Sequence, residues 1–216
     1  MNTTLSGVGV LDKAMALMAR VELGPCTLGE LMAATGTARA TCHRLAVALE
    51  AHAMLRRDAD GRFVLGARLI GLGEEAARSM PLMAVARPVL DQLRDDTGES
   101  AQVWIHEGDH RRCLVAVDSP HELRTMIAAG SLLPLGVGSA GRVLSGEPPS
   151  RAGRIETVAE REPGVASVSA PVHDADGMVV AAVSVSGPIE RISRNPGRRH
   201  GARVVTAARQ LAAATS

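Results

Sequence analysis

Residues 27–66 constrain this chain most, because their pattern reads from end to end as a winged helix-turn-helix. The segment opens with Thr27-Leu28-Gly29-Glu30, a capping box in which Thr27 and Glu30 satisfy each other's orphan backbone donors. Leu28, Leu31 and Met32 follow at helical spacing. Thr35-Gly36-Thr37 breaks that helix, with Gly36 free to take the left-handed conformation of a tight inter-helix turn. Thr37 is then expected to cap the next helix. On that helix Cys42, Leu45, Ala46 and Leu49 share one face, and Arg39, Thr41, His43 and Arg44 share the other. The outer face carries two cations near its N-terminus and no carboxylate, as a helix approaching phosphates and base edges requires. A two-stranded wing follows: residues 54–58, a turn at Asp60-Gly61, then Arg62-Phe63-Val64-Leu65.

The pattern predicts binding to duplex DNA. The residues expected against it are Ala38, Arg39, Ala40, Thr41, His43, Arg44, Arg57 and Arg62, with Arg56 on the same basic rim. Singly, each arginine reads as a solvated surface residue. Cap, turn glycine, acid-free outer face and hairpin, in that order, favour DNA over a helical pair packed inside something else.

At 216 residues the chain is long enough for one large domain or two ordinary ones. No apolar run approaches the eighteen or so residues of a membrane span, and no basic-then-apolar leader opens the chain, so a cytoplasmic protein is expected. Cys26, Cys42 and Cys113 are far apart, lack metal-type spacing and read as small core residues of a reducing compartment. The aromatic residues are Trp104 and Phe63, too few for base stacking, which argues against single-stranded nucleic acid. Lys13 is the only lysine, a bias that fits a GC-rich genome. A net charge of +1 says little, since a duplex binder can confine its positive charge to one face.

Residues 7–22 predict a helix with Val10, Ala14, Leu17, Met18 and Val21 on one side, and residues 67–80 another, ending at Met80-Pro81. Residues 83–97 form a third, buried through Val85, Val89, Leu90 and Leu93. Beyond Gly98 the chain becomes β-rich. Residues 100–106 and 113–118 predict a hairpin around the polar turn 107–111, and residues 123–129 a further strand. Residues 139–144 suggest a short helix, 165–172 and 178–186 a second hairpin, and 198–214 a closing helix. The nearly continuous apolar run at 179–186 belongs in the middle of a sheet. The fold class expected is α+β: an N-terminal winged helix-turn-helix, then an antiparallel sheet with helices on one face.

Gly136-Val137-Gly138-Ser139-Ala140-Gly141 matches G-x-G-x-x-G literally, yet dinucleotide binding would need a parallel βαβ unit and a later acidic residue. The loop reads better as backbone N–H groups presented to a carboxylate. The seven histidines make no ligand set, no serine sits in a nucleophile elbow, and no cofactor, metal or catalytic residue is expected. Ser184 and Ser186 share one strand face, either as buried hydroxyls bonded to backbone or as ligand contacts. Arg191, Arg194, Arg198, Arg199, Arg203 and Arg209 read as a solvated face rather than a second DNA contact.

The chain resembles the IclR family of bacterial transcription regulators over almost its whole length. The resemblance rests on Gly7-Val8-Gly9-Val10-Leu11-Asp12-Lys13-Ala14, Thr41-Cys42-His43-Arg44-Leu45 and Arg62-Phe63-Val64-Leu65-Gly66. Further pieces are Gly130-Ser131-Leu132-Leu133-Pro134-Leu135, Ser139-Ala140-Gly141-Arg142, Glu162-Pro163-Gly164-Val165-Ala166-Ser167 and Ala182-Val183-Ser184-Val185-Ser186-Gly187-Pro188. Within the family it is most similar to actinobacterial members tied to amino-acid biosynthesis genes.

The resemblance implies a DNA-binding domain at 1–66, a linker helix at 67–80 and a GAF-like effector-binding and dimerisation domain at 81–216. It also implies a homodimer, or a dimer of dimers, that reads a palindromic operator and responds to a small molecule. It assigns effector contacts to Gly138, Ser139, Ala140, Ser167, Ser184 and Ser186, whose hydroxyls and backbone N–H groups suit a carboxylate. One departure stands out: residues 145–154 are about 25–30 fewer than the family carries there, which points to a shortened, shallow effector site. Two rival readings remain: a DNA-binding regulator whose short C-terminal domain only dimerises, and an enzyme recruited by the winged helix.

Overall fold

The computed structural model describes residues 6–214. They form two compact units that divide between Ala77 and Arg78.

The first unit is built from α1 (Gly9–Glu22), α2 (Leu28–Thr35), α3 (Arg39–Ala51), β1 (Leu55–Arg57), β2 (Phe63–Leu65) and most of α4 (Arg68–Arg78). Its core is Leu17, Met18, Val21, Cys26, Leu31, Cys42, Ala46, Leu55 and Phe63. The capping box forms as expected: Thr27 Oγ1 accepts from the Glu30 N–H, and Glu30 Oε2 accepts from the Thr27 N–H at 2.7 Å. Gly36 takes the left-handed conformation, with φ 62°. Thr37 does not cap α3. The N-cap is Ala38, which has no side-chain acceptor, and Thr37 is buried one residue earlier. Val10 also departs from expectation: it is exposed, as are Val8, Leu11 and Met15, so α1 carries apolar residues beyond those in the core.

In the wing, Leu55 pairs with Leu65, Arg56 with Val64 and Arg57 with Phe63. Asp58 Oδ1 accepts the Asp60 and Arg62 N–H groups, and Gly61 turns at φ 74°. Phe63 and Cys26 exchange backbone hydrogen bonds at 2.8 and 3.1 Å, which fastens the wing to the start of the helix-turn-helix.

The second unit opens with α5 (Pro81–Thr97) and continues through β3 (Ser100–Glu107), β4 (His110–Val117), β5 (Leu132–Pro134) and α6 (Gly138–Leu144). It ends with β6 (Ile155–Val158), β7 (Val165–His173), β8 (Val179–Pro188), α7 (Ile189–Ile192) and α8 (Pro196–Ala212). The six strands make one antiparallel sheet in the order β5-β4-β3-β8-β7-β6. The apolar β8 lies inside it, as expected. Period-two alternation divides the side chains. Ala101, Val103, Val168, Val172, Val183 and Val185 pack with Leu90, Leu93, Val204 and Leu211 of α5 and α8. The opposite face carries Trp104, Cys113, Ile155 and Ala182 beneath Ala140 and Val143 of α6. The helices therefore cover both faces, not one.

Two sequence expectations are corrected here, and a reading already set aside is removed. Residues 123–129 are not a strand: the slot beside β4 is taken by β5, with Arg111 opposite Leu133. The β3–β4 turn is shorter than 107–111. Glu107 pairs with His110 around Gly108 at φ 58°, so Arg111 becomes a strand residue. The sheet around Gly136–Gly141 is antiparallel and holds no βαβ unit, which removes the dinucleotide reading.

Candidate functional site

The first candidate surface lies on α3 and the wing. Cys42 and Ala46 point into the core, which turns Ala38, Arg39, Ala40, His43 and Arg44 outward; Thr41 is half-buried. The first turn of α3 has no acidic residue, so nothing there repels phosphate. Arg56 and Arg62 are exposed on the wing. Arg57 is exposed too, yet it is engaged. Its Nε donates to Glu50 Oε1 at 3.1 Å, its Nη1 donates to the Gly61 carbonyl, and its guanidinium lies 4.1 Å from the Phe63 ring centroid. A phosphate approaching Arg57 competes with Glu50.

The second candidate site is a cavity between α6 and the sheet. Gly138 at φ 76° lets the chain turn into α6, and it brings Ser139 and Ala140 over β7. Two hydrogen-bonded chains line the floor. Ser139 Oγ bonds Ser167 Oγ at 2.8 Å and Ser169 Oγ at 2.7 Å, while Thr157 Oγ1 bonds Ser167 and accepts the Ser139 N–H. Across the sheet, Trp104 Nε1 donates to Ser184 Oγ at 2.9 Å, and Ser184 and Ser186 both donate to Gln102 Oε1. The structure thus brings together Gly138, Ser139, Ala140, Ser167, Ser184 and Ser186 around one cavity. Its volume is about 30 Å³, room for one or two waters.

Sequence reasoning missed Gln102, Trp104, Thr157 and Arg111. For the first two, strand parity was the available signal, since they lie two apart on the β3 face that meets Ser184 and Ser186. Arg111 is only 3% exposed. Its Nη1 donates to the carbonyls of Pro134 and Val137, its guanidinium lies 5.0 Å from the Trp104 ring centroid, and its Nε has no partner among the described residues. Burial pushes its pKa down to about 10; Arg161 adds to that and Glu160 opposes it, so the side chain stays charged at neutral pH. Glu160 is already committed to Arg142 at 3.1 Å and accepts the Gly138 N–H. Gly141 owes its identity to the same packing, since a Cβ there would collide with the Leu135 carbonyl and with Arg111.

All three cysteines are buried and unpaired, and burial pushes the Cys113 thiol up to about 12. Among the described residues no group of three His, Cys, Asp or Glu side chains could hold a metal, and no helix is long and apolar enough to cross a membrane.

Comparison with known proteins turns this geometry into a family assignment. Residues 10–59 match the IclR helix-turn-helix domain, and residues 74–155 and 150–213 match the bacterial transcriptional regulator IclR C-terminal domain. The chain belongs to the IclR family. It is therefore a DNA-binding transcriptional regulator and not an enzyme. It is similar to the glycerol operon regulatory protein of Streptomyces griseus, 30% identical over 241 aligned positions that cover 95% of this chain and 94% of that protein. In fold it is similar to an IclR transcriptional regulator from Alicyclobacillus acidocaldarius, with TM-score 0.80, 20% identity and coverage of 99% of this chain and 100% of that one. It is also similar to an IclR homologue from Microbacterium hydrocarbonoxydans solved with 4-hydroxybenzoate, with TM-score 0.75, 18% identity and coverage of 94% and 98%.

Proposed function

We propose that this IclR-family protein binds a palindromic operator as a dimer or dimer of dimers, and that a small carboxylate sets its affinity for DNA. The observation that carries the DNA half is the acid-free first turn of α3, with Arg39, His43 and Arg44 exposed beside the wing cations Arg56 and Arg62. The DNA contacts we assign are Ala38, Arg39, Ala40, Thr41, His43, Arg44, Arg57 and Arg62. The effector half rests on Gly138, Ser139, Ala140, Ser167, Ser184 and Ser186 sharing one cavity. That a relative was solved with 4-hydroxybenzoate, a carboxylate, supports the ligand class. Amino acids and 2-oxo acids are the candidates we would try first, on the sequence resemblance alone.

A second reading has its own observation. The cavity is about 30 Å³ and its hydroxyls already bond one another, which favours a C-terminal domain that dimerises without a ligand. A shortened domain is supported by the family match, which breaks into two pieces at residues 150–155.

Electrophoretic shift on the upstream region of the protein's own gene, with and without a panel of amino and 2-oxo acids, tests both. A specific shift that one acid alters supports the effector reading. A specific shift that no acid alters supports the ligand-free one, and no specific shift at all defeats both.

A further inference from the structure

The cavity holds a cation with nothing to neutralise it. Arg111 enters from β4, is 3% exposed, and makes no ion pair among the described residues. Its hydrogen bonds among the described residues go to the neutral carbonyls of Pro134 and Val137, and its Nε has no partner there. A buried guanidinium without a carboxylate loses hydration that two carbonyl bonds repay only in part. The two acids that line the cavity are engaged elsewhere, Glu160 with Arg142 and Glu162 with Arg161, so neither pairs with Arg111. Glycine at 141 keeps room for this side chain, because a Cβ there would collide with Nη1 and with the Leu135 carbonyl. The wall opposite offers the hydroxyls of Ser184 and Ser186 and the Gln102 amide.

We propose that Arg111 is the counter-ion of this cavity and the residue that selects a ligand by charge, so that the site takes a compact monoanion of about two or three carbons. This rests on the effector reading for its regulatory meaning, but not for the binding itself. The Arg111 guanidinium and the Gln102 amide N–H receive the carboxylate, the serine hydroxyls joining only by turning away from Gln102 Oε1, and the Trp104 ring packs against the same guanidinium at 5.0 Å from its centroid. The small volume excludes an aromatic acid unless the lining moves.

Trp104 is the only tryptophan in the chain, so its fluorescence reports this cavity alone. The full-length protein is titrated with acetate and pyruvate, and with acetamide, the neutral isostere of acetate. Expected is a saturable change in Trp104 emission with both anions and none with acetamide at equal concentration. Arg111→Gln should weaken both anions about tenfold or more, as the loss of a charge-assisted contact does. Arg111→Lys, which keeps the charge, should keep the preference for acetate over acetamide, and it carries the test if the glutamine variant does not fold.

The proposal is overturned if neither anion changes the emission, if acetamide matches acetate, or if Arg111→Gln binds acetate as wild type does. A guanidinium that only pins the lead into α6 would give that last result. Failure of the effector reading looks different: acetate and pyruvate bind through Arg111 while operator affinity stays constant. Conversely, an operator response to pyruvate that survives Arg111→Gln unchanged leaves the effector reading standing and removes Arg111 from it.

Discussion

Arg191 grips Glu99 through two hydrogen bonds, Nε to Oε1 at 2.6 Å and Nη2 to Oε2 at 2.8 Å, with the carboxylate only 1% exposed. The pair joins α7 to the residue before β3, and Gly187 leaves the room it needs, because a Cβ there would collide with the carboxylate. Arg191 is thus no part of the solvated arginine face on which the sequence pattern set it. Removing one partner of a buried pair strands a charge and costs far more than the pair contributes net. Arg191→Met is expected to destabilise the protein by about 2–4 kcal/mol, below the full range because the arginine is partly solvated. Urea unfolding measures this, and a change under about 0.5 kcal/mol would sink the argument.

His200 supplies a pH dependence. It is buried on α8 and neither ring nitrogen has a hydrogen-bond partner among the described residues. Burial, with the neighbouring charges of Arg199 and Arg203, pushes its pKa down to about 4 from an ordinary 6.5. The unfolded chain therefore takes up this proton first, and protonation favours unfolding. Stability tied to His200 is complete above about pH 6.5 and declines as the pH falls toward about 4, by roughly 1–3 kcal/mol. His200→Leu should flatten that decline. An unchanged slope between pH 7 and 4 in the variant would place the acid sensitivity on another group.

The winged helix was legible because each of its signals is local: a cap and its glutamate three residues apart, a glycine at a turn, a helical stripe. The cavity was only half legible. Ser184 and Ser186 follow from strand parity on an unmistakable central strand. Arg111 does not, because its role depends on a turn of two residues rather than five, and polar residues around Gly108 do not reveal where pairing stops. Residues 123–129 look like a strand but lose the place beside β4 to Leu132–Pro134, a competition no local pattern encodes. Glu99 and Arg191 lie 92 residues apart, and only the finished sheet brings them together.

On α3, Arg44 is exposed and makes no ion pair among the described residues, so it is available to a base edge. Arg44→Ala should cost about 1–3 kcal/mol of operator binding and relax specificity at one position. Arg57→Ala should instead lower affinity evenly across sequences. Since Glu50 shares the Arg57 guanidinium, Glu50→Gln should strengthen DNA binding and steepen its salt dependence by about one unit of slope. Fluorescence anisotropy at several salt concentrations resolves all three variants. Equal affinity of Glu50→Gln and wild type throughout would mean that Arg57 does not reach phosphate.

Apolar residues left uncovered in the first unit bear on self-association. From the N-cap of α1 onward, Val8, Leu11 and Met15 recur at spacings of three and four and are all at least half exposed. On α4 no residue is buried, and Ile70 is 66% exposed although Leu69 beside it packs on the core. A helix with such a pattern loses stabilisation in water unless another surface covers it, at about 25 cal/mol for each Å² left exposed. A second copy of the chain is the partner that the proposed two-fold operator calls for. Leu11→Glu combined with Ile70→Glu should therefore weaken self-association at micromolar concentration and lower operator affinity, while circular dichroism stays unchanged. Sedimentation velocity separates the outcomes: a variant as large as wild type in solution would show that these two helices are not the dimer surface.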